Sequence, residues 1–541
     1  MQGLMQDWPL RIGRIIDHAA RYHGGRPVVS REPGGIARTT WSGVHEGARK
    51  LAQALRRLGV RPGEVVGAMA WNTARHVEIW YGVPGAGAVL HSLNPRLSAE
   101  QLTYVIGHAE DRWIFVDEDV APALAALELP GVRGFIVLGD RAACQRSGLA
   151  NALAYEELVG GEDGDAGWEP VDERAACGIC YTSGTTGQPK GVVYSHRSNV
   201  LHAMAMIQPD MLGLSCRDTM MPVVPLFHAN GWSCGYSAPM AGSAMVLPGR
   251  NLDPASLYEM LEQGVTVSAA VPTVWLPLLK HLAETGQKLP HLERVVIGGS
   301  SCPRAVIEAF QIDYGVQVIH AWGMTETSPL GTLCSFKPEV AALPDELRIE
   351  TQLKVGHPPF TVDLALADDD GARLPWDGET AGRLMVRGPG VVRRYLKDEA
   401  IAVDGEGWFD TGDAANIDAL GYVRITDRLK DLIKSGGEWI SSIELENAAL
   451  AHRGVFEAAA VAMPHAKWGE RPVLVVVPRE GATVEPSEVM DVLRPHFASW
   501  QLPDDVLVVD EIPHTATGKI SKLTLRQKLR DQGYTLPDSR G

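Results

Sequence analysis

Residues 181–191 read Tyr181-Thr182-Ser183-Gly184-Thr185-Thr186-Gly187-Gln188-Pro189-Lys190-Gly191, directly after an apolar run. Hydroxyl side chains interleaved with glycines suit the wrapping of a polyphosphate, because glycine lets backbone N–H groups approach the oxygens and Lys190 adds positive charge. The G-x-x-x-x-G-K-[ST] spacing of the common phosphate loop is absent, which weighs against a generic nucleoside triphosphatase. Further along stand Trp322-Gly323-Met324-Thr325-Glu326, Trp408-Phe409-Asp410-Thr411-Gly412-Asp413, Asp427-Arg428-Leu429-Lys430-Asp431 and Thr517-Gly518-Lys519. Taken singly, Asp413 reads as a solvated turn carboxylate, Glu326 as a helix-start residue and Lys519 as an exposed loop lysine. Cys177 and Cys180 form a C-x-x-C pair on an apolar strand with no nearby His or Cys to complete a zinc site, so they read as small buried thiols.

These residues need a scaffold, and the sequence indicates an α/β one. Apolar runs at 64–70, 113–116, 135–138, 220–224, 244–247 and 294–297 alternate with longer helix-like stretches, a rhythm that predicts layered α/β structure with much parallel sheet. After Thr380 short alternating segments such as 382–387 and 421–425 predict a β-rich, barrel-like subdomain. Beyond it, strands at 458–463 and 473–477 and helices at 442–451 and 486–497 predict a small α+β domain. The expected division is an N-terminal domain over 1–429 and a mobile C-terminal domain over 430–541, with the Ser435-Gly436-Gly437 turn near the boundary. A chain of 541 residues exceeds the size at which one core keeps growing, which also favours two domains.

Bulk properties narrow the function classes. With 45% hydrophobic and 21% charged residues the composition is that of a globular enzyme. A formal net charge of −16 gives no general reason to bind nucleic acid or an anionic membrane, so any polyanion site must be local. The most apolar neighbourhood, 81–93, is short and broken by Gly82, Pro84, Gly85 and Gly87, so no integral membrane association is expected. Residues 1–24 mix charges with apolar positions and read as an amphipathic helix rather than a signal peptide. Seven scattered cysteines do not form a disulfide framework, and a cytoplasmic location is expected.

As an ordered set spanning 181–519, these motifs resemble the adenylate-forming superfamily of acyl-CoA synthetases, luciferases and peptide-synthetase adenylation domains. Within it, Pro225-Leu226-Phe227-His228-Ala229-Asn230-Gly231-Trp232 and Leu432-Ile433-Lys434-Ser435-Gly436-Gly437-Glu438-Trp439-Ile440 resemble fatty-acyl-CoA synthetases of the medium- and long-chain type. The resemblance implies ATP, Mg2+ and coenzyme A as cofactor and co-substrates and a carboxylic acid as substrate. It implies that Thr182 and Glu326 hold the metal, that Thr325 touches the α-phosphate, and that Ser183, Gly184, Thr185, Thr186, Gly187 and Lys190 embrace the other phosphates. Gly299, Ser300, His320, Ala321, Trp322 and Gly323 would line the nucleotide pocket, with Asp413 and Arg428 at the ribose. Trp322 and His320 stand where many relatives have Tyr and Gln. Lys519 would be the catalytic lysine, Trp232 and Gly299 acyl-pocket walls, and His228 a gate. Lys430 and Lys434 would contact the nucleotide, and rotation about Lys430 would bring Lys434 to it and Ser435, Gly436, Gly437, Trp439 and Glu470 to coenzyme A. A homodimer is implied too. The alternatives are a short-chain or methylthioalkanoate ligase, a peptide-synthetase adenylation domain, a luciferase-like oxygenase, or a catalytically silent nucleotide-binding protein.

Overall fold

A computed structural model describes residues 1–182, 188–436, 438–514 and 520–537. Two compact units are present: Met1–Gln352 with Gly356–Asp363 and Arg387–Phe409 in one, Leu353–Val355 with Leu364–Val386 and Asp410–Gly541 in the other.

The first unit holds two sheets. One has eight strands in the order Leu330–Leu333, Gln317–Gly323, Arg294–Gly298, Val267–Ala270, Thr219–Pro222, Ala244–Leu247, Pro27–Glu32 and Gly35–Thr40. Its inner pairs are parallel and its two edge pairs antiparallel. The other has seven strands, Ala152–Ala154, Gly134–Val137, Asp111–Val116, Val65–Met69, Val89–Ser92, Ala176–Tyr181 and Gly191–Ser195, all parallel except the last pair. Val89–Ser92 and Val267–Ala270 are buried throughout. Continuous burial of this kind follows when helices cover both faces of a parallel sheet, and it takes in the polar residues His91, Ser92 and Ser268 as well.

A single core joins residues of both sheets to the helices Trp41–Arg57 and Ala74–Gly85. In Trp41–Arg57 the buried positions Trp41, Val44, Ala48, Leu51 and Leu55 recur at helical spacing, and Thr40 caps its first turn. The two helices lie close because Gly82 has no side chain: a Cβ there would stand 2.8 Å from Leu51 and 3.0 Å from the carbonyl oxygen of Ala48. From Ala74–Gly85 the buried Trp80 packs on Gly235 and Tyr236, with its ring 4.9 Å from that of Tyr236.

The N-terminal helix is shorter than expected. It covers Gly13–His23, while Leu10 and Ile12 donate their N–H groups to Glu173 and His196 instead of to a helical ladder. Pro9 is incompatible with a helix continuing through it.

In the second unit the β-rich stretch is a four-stranded sheet, Asp363–Ala367, Gly382–Arg387, Phe409–Ile417 and Val423–Arg428, paired in chain order, rather than the barrel-like unit expected. The short segments identify strands, and too few of them follow to close a cylinder. A five-stranded sheet follows, centred on the hairpin Val455–His465 and Gly469–Pro478. Ala458 and Ala460 face a core with helices Ser442–Ala449 and Pro486–Leu493, while Ala459, Val461 and Met463 face Leu525 and Leu529 of Lys522–Asp531. Among the described residues no helix is long and apolar enough to cross a membrane.

Cys177 and Cys180 are buried on Ala176–Tyr181, and burial pushes their thiols up to about 12 and about 11. Thiolate is the reactive species, so at mildly alkaline pH alkylation of the native chain is expected at exposed Cys216, with Cys177 and Cys180 labelled only after unfolding. Peptide mass spectrometry checks this; rapid labelling of Cys177 in the native protein contradicts its burial.

Candidate functional site

In the first unit the carboxyl ends of Arg294–Gly298 and Gln317–Gly323 lie side by side, Gly298 in register with Ala321. Ligands of open α/β sheets bind at such strand ends. Gly298 is required by close approach: a Cβ would stand 2.7 Å from the carbonyl oxygen of Ala321 and 3.2 Å from Cη2 of Trp232. Gly299 follows with φ +81°, a conformation that favours glycine, and Ser300 is exposed beyond it. His320, Ala321 and Trp322 are buried on the neighbouring strand, with Nδ1 of His320 3.1 Å from the carbonyl oxygen of Gln352. The Trp322 indole covers Gly331, where a Cβ would come within 2.4 Å of the ring. Gly323 then leads into the short turn Thr325–Thr327, in which Thr325 and Glu326 are buried.

His228 is half-buried beside this region and opens the turn Ala229–Ser233. All five residues of that turn have φ between 44° and 63°, with Trp232 at 50°. A left-handed run of non-glycine residues is costly and needs outside support. Asn230 donates to Asn199 at 2.8 Å, and buried Asn72 donates to the carbonyl oxygens of Pro222 and Val224 while accepting from the N–H of Leu226. Trp232 is thereby held with its ring against Gly298.

The phosphate-loop motif is rooted between strands Ala176–Tyr181 and Gly191–Ser195, which pair Tyr181 with Gly191. Thr182 donates its N–H to the carbonyl oxygen of Lys190 at 2.9 Å, and its hydroxyl accepts from the Lys190 N–H at 3.3 Å. Ser183, Gly184, Thr185, Thr186 and Gly187 lie outside the described residues. From the exit strand, the Tyr194 hydroxyl donates to the carbonyl oxygen of Thr325 at 2.8 Å. The Tyr395 hydroxyl donates to Oε1 of Glu326 at 2.9 Å, and Nζ of Lys190 stands 4.7 Å from the centre of the Tyr395 ring. These contacts join the loop root to Thr325 and Glu326. Sequence reasoning missed both tyrosines, since side chains 131 and 69 positions from their partners leave no local signal. Thr182 and Glu326 offer a hydroxyl and a carboxylate, oxygen donors that fit a hard divalent cation completed by substrate phosphates. Among the described residues no group of three or more His, Cys, Asp or Glu gathers to hold an ion by protein ligands alone.

In the second unit Asp413 faces Arg428 across antiparallel strands, with Nε of Arg428 2.7 Å from the Asp413 carboxylate. Asp413 is 1% exposed and the Arg428 side chain 40%, so the pair opens outward through the arginine. Lys430 follows in an exposed turn. Lys434 pairs with Trp439, its Nζ 4.9 Å from the ring, and donates its N–H to Glu470 at 2.9 Å. Ser435 accepts from Arg471 at 3.0 Å, and Gly436, at φ +63°, has Trp468 where a Cβ would stand. Gly437 and Lys519 lie outside the described residues.

Beneath Arg428 is a buried charged network in which Asp427 of the same motif meets Ser442, Glu446 and Lys522, which no motif announced. Asp427 accepts from both the N–H and the hydroxyl of Ser442 at 2.6 Å, and Lys522 pairs with Glu446 at 2.7 Å. Burial pushes the Glu446 carboxyl up to about 7 against the pull of Lys522. Breaking such a pair leaves an uncompensated buried charge. Lys522→Ala is expected to lower stability by about 3 kcal/mol, and Lys522→Met with Glu446→Met to recover more than half of that loss. Denaturant unfolding followed by fluorescence checks both; equal destabilisation by the single and double variants contradicts the pairing.

Comparison with known proteins bears on the chemistry. The family described as AMP-binding enzyme matches residues 16–396, and the AMP-binding enzyme C-terminal domain matches 444–519. A medium-chain-fatty-acid–CoA ligase of Ectopseudomonas oleovorans is 46% identical over 98% of each chain. A 3-methylmercaptopropionyl-CoA ligase of Ruegeria lacuscaerulensis is 47% identical over 98% of this chain and 99% of that one. A long-chain-fatty-acid–CoA ligase of Thermus thermophilus is 45% identical over 97% of each.

Proposed function

The chain belongs to the AMP-binding enzyme family, and on that premise we propose that it is an ATP-dependent acyl-CoA synthetase for medium- to long-chain fatty acids. The observation that carries the reading is the joining of the phosphate-loop root to the Thr325 and Glu326 turn through Tyr194 and Tyr395, which puts a lysine and a carboxylate beside one phenol.

In the proposed reaction the fatty carboxylate attacks the α-phosphorus of ATP in line with departing pyrophosphate. Lys190 and the loop hydroxyls hold the leaving group, and Thr325 orients the α-phosphate. Thr182 and Glu326 would hold magnesium, which when bound would supply neutralisation of phosphate charge. His320, Ala321 and Trp322 receive the base against Gly299 and Ser300, with Gly323 ending that wall, and Asp413 and Arg428 take the ribose. Lys519 stabilises charge between carboxylate and α-phosphate. The thiol of coenzyme A then attacks the acyl carbon and AMP leaves. For this step we propose that residues 430–541 turn as a body about Lys430 relative to 1–429, presenting Lys434 to the nucleotide and Ser435, Gly436, Gly437, Trp439 and Glu470 to coenzyme A. His228 gates the acid in this scheme. A cytoplasmic homodimer is part of the same proposal.

Trp232, buried against Gly298, supports a role as acyl-pocket wall. A methylthioalkanoate ligase is the second reading, favoured by near-equal identity to relatives named for both substrate types. Acids from methylthiopropionate to palmitate, with ATP, magnesium and coenzyme A, are expected to give AMP and acyl-CoA in equal amounts, peaking at medium to long chains. Lys519→Ala is expected to cut adenylation by about 100-fold or more. A peak at methylthiopropionate selects the second reading, and undiminished adenylation by the variant removes Lys519 from the mechanism.

A further inference from the structure

Tyr395 belongs to none of the motifs that place the phosphates or the metal, yet it touches both. Its hydroxyl donates to Oε1 of Glu326 at 2.9 Å, and its ring lies 4.7 Å from Nζ of Lys190. The backbone on either side is tied to the same two places. Val392 donates its N–H to the carbonyl oxygen of Glu326, and Leu396 donates its N–H to the carbonyl oxygen of Gly191, each at 2.8 Å. At the second tie Gly191 leaves room for the neighbouring chain: a Cβ there would stand 3.1 Å from Cβ of Leu396 and 3.2 Å from Cζ of Tyr181. Residues 392–396 therefore form a strap from the phosphate-loop exit to the buried carboxylate, with Tyr395 directed at both.

We infer that Tyr395 is a positioning residue for ATP and its metal, its hydroxyl setting the plane of the Glu326 carboxylate and its ring face holding the Lys190 ammonium. The inference rests on the reading of Glu326 as a metal ligand and Lys190 as a phosphate contact. A phenol donating to one carboxylate oxygen fixes where the other oxygen points, and an aromatic face attracts an ammonium without neutralising it. Lys190 thus keeps its full charge for phosphate, where a carboxylate partner would cancel it.

The two contacts separate by substitution. Tyr395→Phe removes the hydroxyl and keeps the ring; Tyr395→Leu removes both. The measurement is calorimetric titration of the full chain with ATP, once with magnesium and once with a chelator. Tyr395→Phe is expected to lose about tenfold of the magnesium-dependent tightening while binding metal-free ATP as the wild type does. Tyr395→Leu is expected to lose the same increment and, in addition, about two- to fivefold in metal-free affinity. A general packing role would weaken both titrations together and lower the melting temperature. Retention of the full magnesium increment by Tyr395→Phe, while Glu326→Gln abolishes it, overturns the inference alone. Retention by Glu326→Gln as well overturns the reading of the metal site on which it rests.

Discussion

Much of the first unit depends on where its parallel strands end. A strand in a parallel sheet is bonded on both sides and covered by helices on both faces, so its polar groups become available mainly at its ends. In this chain Arg294–Gly298 ends opposite Ala321 while Gln317–Gly323 runs two residues further, and beyond these ends stand Gly299 and the buried Thr325 and Glu326. Close approach has a steric condition, met by Gly298 beneath Trp232 and by Gly331 beneath Trp322. The large aromatic side chains lie where their glycine partners give them space.

The same constraint explains the buried polar residues around the strand ends. A left-handed turn such as Ala229–Ser233 cannot rely on regular backbone bonding, and Asn72, Asn199 and Asn230 supply side-chain hydrogen bonds there and in the segment just before it. Tyr194 and Tyr395 do comparable work at the phosphate-loop exit. Rigidity at these points matters chemically, since groups already in place do not have to be reorganised when charge develops. The second unit uses a different means: the ion pair of Lys522 with Glu446 and the Asp427 cap on Ser442–Ala449 fix the strand that carries Arg428.

What the sequence by itself determined was the order of the motifs and most of the layering. Apolar runs at 220–224, 244–247 and 294–297 identify strands because a parallel strand is buried on both faces, and 382–387 is a strand too, although Leu384, Met385 and Val386 are buried in succession rather than in alternation. The hydroxyl-rich loop, Glu326 and Asp413 were legible as an ordered set because each motif is contiguous in the chain. Tertiary structure alone decided what depends on distant partners. Residues 1–12 are not helical, because Glu173 and His196 take the N–H groups of Leu10 and Ile12; the β-rich stretch is a four-stranded sheet, because strand count and pairing are set by packing; Tyr395 reaches Glu326 across 69 positions. Periodicity records which face of an element is buried and is silent about what buries it.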